Sequence, residues 1–137
     1  MDNQENDMND FPAGYHKSNS LGEAGRHAWS GVWVAFTTER NLWIQVIVYV
    51  VVLIVAILVQ LSFLEMAMII LAATVVMALE MVNTAVEHFA DVVEPRYSKV
   101  VGKIKDFTAG AVLLTSVAAV VVGLLLIVPP IVLRLVS

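Results

Sequence analysis

The sequence predicts an all-α integral membrane protein, with three transmembrane helices preceded by an N-terminal amphipathic helix at the membrane surface. Three observations carry that prediction. Of the 137 residues, 59% are hydrophobic and 15% charged, and the mean hydropathy is +0.82; a soluble domain of this size carries about 25% charge. No charged residue occurs from Asn41 to Leu64 or from Phe107 to Leu133, and each gap exceeds the roughly 20 residues that cross a bilayer core. Between the gaps runs a third apolar stretch, Met66 to Ala90, whose second half carries Glu80, Asn83 and Glu87.

In chain order, residues 1–19 are rich in Asn and Asp, with Pro12 and Gly14. They lack the basic segment and cleavage site of a signal peptide and read as a disordered cytoplasmic tail. Residues 20–137 then form one membrane-embedded domain. Ser20-Leu21-Gly22-Glu23 has the Ser-x-x-Glu spacing of a capping box, which satisfies the free amide donors at a helix start. Leu21, Ala24, Gly25, Ala28, Val32, Ala35 and Phe36 recur at three and four, giving Ser20 to Thr38 one apolar face. With Trp29 and Trp33, and placed just before a span, this segment reads as a helix lying on the membrane.

The spans are expected at about 42–62, 66–90 and 107–133. A tight joint near Leu61 to Glu65 connects the first two, and Asp91 to Asp106 reads as a longer, charged loop. Trp43 and Tyr49 fit the interfacial aromatic belt. Seven of the eight Lys and Arg residues lie before the first span or between the second and third, and only Arg134 lies elsewhere. The positive-inside rule therefore puts the N-terminus and the second loop in the cytoplasm and the C-terminus outside, as three spans require.

Composition also narrows the chemistry. With no Cys, thiol catalysis and Cys-ligated zinc are excluded, and three separated His residues (His16, His27, His88) have no metal-ligand spacing. Any metal must be held by oxygen. A net charge of −4 leaves no basic stripe for nucleic acid, and no Gly-rich nucleotide loop is present.

The most informative feature is in the second span. At about 100° per residue, Glu80, Asn83, Glu87 and Asp91 fall at about 0°, 300°, 340° and 20°, a single stripe on one helix face. Carboxylates at membrane depth are expensive and mark functional sites. Glu80 and Glu87 are separated by about 10 Å along the axis, too far to clasp one small ion together, so they have two jobs.

The run Glu80-Met81-Val82-Asn83-Thr84-Ala85-Val86-Glu87-His88-Phe89-Ala90-Asp91 resembles the signature of the small prokaryotic integral-membrane lipid kinases, the diacylglycerol kinase and undecaprenol kinase family. The resemblance extends to Ala28-Trp29-Ser30-Gly31, Thr38-Glu39-Arg40-Asn41 and Lys105-Asp106, and covers about Ser20 to Ile127. It implies a homotrimer in the bacterial cytoplasmic membrane that transfers the γ-phosphate of MgATP to a lipid alcohol. By matching positions it makes Glu80 the catalytic base and Glu39 and Glu87 the Mg2+ ligands, with Asn83, Asp91, Lys105 and Asp106 at the nucleotide. Ser30 and Trp33 stand where the family often has basic residues, so no phosphate contact is carried over to the surface helix. The Thr38-Glu39-Arg40-Asn41 stretch resembles undecaprenol kinases more than diacylglycerol kinases, which leans the substrate toward a polyprenol.

Two other classes compete on residue type alone. A small multidrug or proton-coupled transporter would use Glu80 to exchange protons with a cationic substrate, and a non-catalytic membrane subunit would use the stripe as helix glue. The transporter does not account for Asn83, Glu87 and Asp91 in register, nor for a basic loop ending in Lys105-Asp106, and an assay for labelled lipid phosphate separates the subunit from the kinase.

Overall fold

The computed structural model describes residues 20–96 and 98–136 and contains four helices among them: α1 (Leu21–Thr38), α2 (Arg40–Leu58), α3 (Phe63–Val93) and α4 (Lys99–Val136). The tail expected at 1–19 lies outside the described residues. The chain divides into two compact units at Thr37/Thr38.

In the first unit the Ser20 hydroxyl accepts from the Glu23 amide at 3.2 Å, the contact expected of the Ser-x-x-Glu pattern. Trp29 and Trp33 are largely solvent-exposed in the isolated chain. Near the end of α1 the Thr37 hydroxyl bonds back to the carbonyls of Trp33 and Val34.

In the second unit, α2, α3 and α4 are each long and apolar enough to cross a membrane. Their packing is inverted relative to a soluble protein. Among the described residues the buried apolar ones are only Leu42, Ala56, Ile69, Val76 and Ala90, while Leu114, Leu125 and Ile57 stand exposed along the spans. This is a surface made for hydrocarbon, where backbone groups must be satisfied within each helix. The middle helix α3 is the centre of the unit: it packs most extensively on α4, less on α2, and α2 and α4 barely meet.

The joints are closed by local hydrogen bonds. Backbone at Glu39 is extended (φ −100°, ψ 109°), which separates α1 from α2. At the end of α2, Gln60 adopts φ 58°; its amide reaches Ile57 O and the Leu61 amide reaches Ala56 O, both at 3.0 Å. That pairing is a Schellman motif, with Gln where glycine is usual. Arg134, near the end of α4, donates to Leu58 O at 2.9 Å, Val59 O at 3.0 Å and Gln60 Oε1 at 3.2 Å, covering carbonyls the motif leaves free. α3 opens on a full capping box: the Ser62 hydroxyl accepts from the Glu65 amide, and Glu65 Oε2 accepts from the Ser62 amide at 2.7 Å.

Two expectations need correcting. The first span stops being helical at Leu58, four residues before 62, because the turn at Val59–Gln60 intervenes. Asp91 to Asp106 is mostly not a loop, since only residues 94–98 fall between α3 and α4. Its charged side chains decorate helix ends that run on beyond the apolar segment. At 1.5 Å per residue α4 is about 57 Å long, nearly twice the roughly 30 Å hydrocarbon core.

Candidate active site

The expected stripe lies on the packed face of α3. Ile69, Val76, Asn83 and Ala90 recur at seven-residue spacing, and all four are buried together with Glu80. Burial then fades along the stripe: Glu80 is 6% and Asn83 9% exposed, Glu87 is half-buried and Asp91 exposed.

Three interactions hold polar side chains on this face. Asn41, in the first turn of α2, donates its Nδ2 to Glu80 Oε1 at 2.9 Å. One turn farther along α3, Asn83 Nδ2 donates to Glu87 Oε1, also at 2.9 Å. At the end of the stripe, Lys105 of α4 forms an ion pair with Asp91. The three interactions thus tie α3 to α2 at its buried acid and to α4 at its exposed one, with an internal pair between them.

The Oδ1 of Asn83 is buried and has no hydrogen-bond partner. Burying a carbonyl oxygen without a partner is unfavourable, and here it sits beside a carboxylate that is already oriented. Glu39 is half-buried at the extended residue before α2 and makes no capping bond to that helix; its Oε1 accepts from the Thr38 hydroxyl at 3.4 Å. These oxygens fit a hard cation such as Mg2+, which binds one or two carboxylates and takes its remaining ligands from water and phosphate. Among the described residues no three His, Asp or Glu side chains gather in one chain, so no complete protein cage is formed. Asp106 is exposed, next to Lys105 in the first turns of α4.

Asn41, which meets Glu80, escaped the sequence reading as a site residue, and Gln45 shares its face of α2. Asn41 and Gln45 are four apart, hence on one face of α2, inside a segment otherwise free of strong polarity. That i, i+4 spacing within a span is the signal that could have found them.

The chain is similar to known proteins along most of its length. Residues 26–127 match the family described as prokaryotic diacylglycerol kinase. A Synechocystis protein named diacylglycerol kinase is 42% identical over 106 residues, covering 77% of this chain and 61% of that protein; the match thus spans less than two thirds of its length. A Bacillus subtilis protein named undecaprenol kinase is 36% identical over 103 residues, covering 75% of this chain and 84% of that protein. Nothing in these similarities supports the transporter alternative.

Proposed function

The chain belongs to the prokaryotic diacylglycerol kinase family, and from that premise we propose that it is an ATP-dependent lipid kinase of the bacterial cytoplasmic membrane. The observation that carries the reading is the pair of separately held carboxylates on one face of α3, Glu80 fixed by Asn41 and Glu87 fixed by Asn83.

Phosphoryl transfer asks mainly for positioning and charge neutralisation, and the stripe divides that work along its length. Glu80, the buried end, is the general base: it takes the proton from the lipid hydroxyl as that oxygen attacks the γ-phosphorus, the new P–O bond forms, and ADP leaves. The donated bond from Asn41 aims the carboxylate without consuming its second oxygen. A base must come within about 3 Å of the proton it abstracts, directly or through one water, so a fixed carboxylate is an advantage. Glu39 and Glu87 would hold Mg2+, with Asn83 Oδ1 beside them, and the ion when bound supplies neutralisation of phosphate charge. Lys105 faces the nucleotide with Asp91 and Asp106; its exposed ion pair with Asp91 is worth only about 0.2–1 kcal/mol and yields readily to a phosphate.

The resemblance that makes Glu39 and Glu87 the Mg2+ ligands also implies a homotrimer, and the reading includes one in which neighbouring copies complete the site. The charge asymmetry puts the N-terminus and the 94–98 connection in the cytoplasm, where ATP is. Reporter fusions test this, with activity inside for a fusion near Arg96 and outside for one after Ser137 expected, and the reverse overturning it.

The substrate is assigned to undecaprenol, with diacylglycerol a close second, on the Thr38-Glu39-Arg40-Asn41 stretch. The deciding experiment gives purified protein γ-labelled ATP and liposomes holding either alcohol. Labelled lipid phosphate is expected from both, more from undecaprenol. A tenfold preference for diacylglycerol would overturn the substrate assignment, and no labelled lipid from either would overturn the kinase.

A further inference from the structure

A cavity of about 430 Å3 lies among α2, α3 and α4, within the roughly 300–1,000 Å3 range of small-molecule sites. Its walls are overwhelmingly aliphatic, with Val48, Val52, Ala73 and Val76 among them, and it is partly open to the outside of the bundle. It is the continuation of the catalytic face. From Glu80 one turn of α3 leads to Val76 in its wall, and from Asn41, the partner of Glu80, one turn of α2 leads to Gln45 in its wall. Either step is about 6 Å along the helix axis.

Gln45 is the anomaly in this hydrocarbon setting. Its side chain lines the cavity, while its Oε1 is packed away without a hydrogen-bond partner, so a rotation of the amide is what brings that oxygen to the cavity. An amide oxygen in apolar surroundings is unfavourable until it meets a donor. A lipid alcohol has the complementary difficulty, since its single O–H has no acceptor among acyl chains. We infer that Gln45 Oε1 is the docking acceptor for the hydroxyl of the lipid alcohol, holding it in the cavity one turn from Glu80 before it moves up to react. The inference rests on the lipid-kinase reading and deepens it: the cavity receives the apolar chain next to the hydroxyl, and the ligand class is a long-chain alcohol with a free O–H. The phosphorylated product has given up that proton, so the atom that retains substrate does not retain product in the same way. Gln45 is a positioning residue here, because the chemistry occurs at Glu80.

The test compares two ligands that differ only in the donor. Equilibrium binding of a long-chain polyprenol and of its methyl ether is measured on the full chain in lipid nanodiscs, without ATP. The parent should bind the alcohol about 3- to 10-fold more tightly than the ether, the range one hydrogen bond supplies. Gln45→Leu should bind the two alike, at the parent's ether affinity. In turnover, Gln45→Leu should raise the KM for the lipid by the same factor and leave kcat and the KM for ATP within about twofold, and Gln45→Asn should recover part of the loss. A parent that does not distinguish alcohol from ether would overturn the assignment, and water or a bilayer chain would then fill the cavity. So would a Gln45→Leu protein that keeps the preference but loses its oligomeric state, because the oxygen would then pair with a second copy. The binding arm needs no turnover: a preference for the alcohol without any lipid phosphate would support the docking acceptor while overturning the kinase reading.

Discussion

The two halves of α3 share a face and a seven-residue rhythm, yet do different work. In the first half Ile69 and Val76 face the other helices with hydrocarbon and frame the cavity. In the second half, Glu80, Asn83 and Asp91 occupy the continuation of that face and meet Asn41, Glu87 and Lys105. Periodicity therefore decides which residues lie between helices, whereas polarity decides whether that contact is packing or chemistry. In lipid the distinction is sharper than in water, because an apolar face gains little hydrophobic drive from meeting another helix and packs by shape, while a polar one must find a partner.

Substitutions in the two halves should fail differently. The largest effect is expected at Glu80→Gln, which keeps the oxygen that accepts from Asn41 and removes the basicity. It should fold as the parent does, bind ATP normally and lose about 10²- to 10⁴-fold in turnover; a near-parental rate in the liposome assay would return Glu80 to a purely structural role and erase the contrast. Ile69→Asp should do the opposite, costing about 2.5–3.5 kcal/mol of insertion free energy and so cutting the yield of folded protein, while molecules that do fold keep kcat and raise the KM for the lipid whose chain the cavity receives. A parental yield and melting temperature would show that the apolar half tolerates charge and that depth, not packing, sets the boundary. The smallest effect belongs to Lys105→Ala at the exposed end of the stripe. Thermal stability should shift by no more than about 1 kcal/mol, and the KM for ATP should rise about 10-fold, as expected for loss of a charge-assisted bond to phosphate. An unchanged ATP profile would leave Lys105 as a determinant of topology.

Much of this arrangement is legible in the amino-acid order. Two charge-free segments and a third with a one-sided polar stripe suffice for three spans, and the 100° step puts Glu80, Asn83, Glu87 and Asp91 on one face. Asp91 to Asp106 misleads because charge near a span suggests a loop, whereas helices α3 and α4 continue past the hydrocarbon and carry that charge on their sides. Asn41 and Gln45 are hidden for another reason. Their significance is a pairing, or a missing pairing, with a helix far away in sequence, and neither changes the hydropathy of its own segment enough to stand out. The Ser62–Glu65 box is as readable as Ser20–Glu23, for the spacing is the same.

Arg134 is the basic residue set apart from the other seven, and its position has a consequence for how the protein is built. The guanidinium closes the carbonyl end of α2, where Gln60 holds a left-handed backbone that glycine would adopt more cheaply. Yet α2 is synthesised well before Arg134 exists. While α3 and α4 are being made, the end of α2 has its local Schellman bonds but not this donor, which arrives only when α4 docks. A chain without a docked α4 would leave the carbonyls of Leu58 and Val59 without this side-chain donor, a local difference between incomplete and finished molecules.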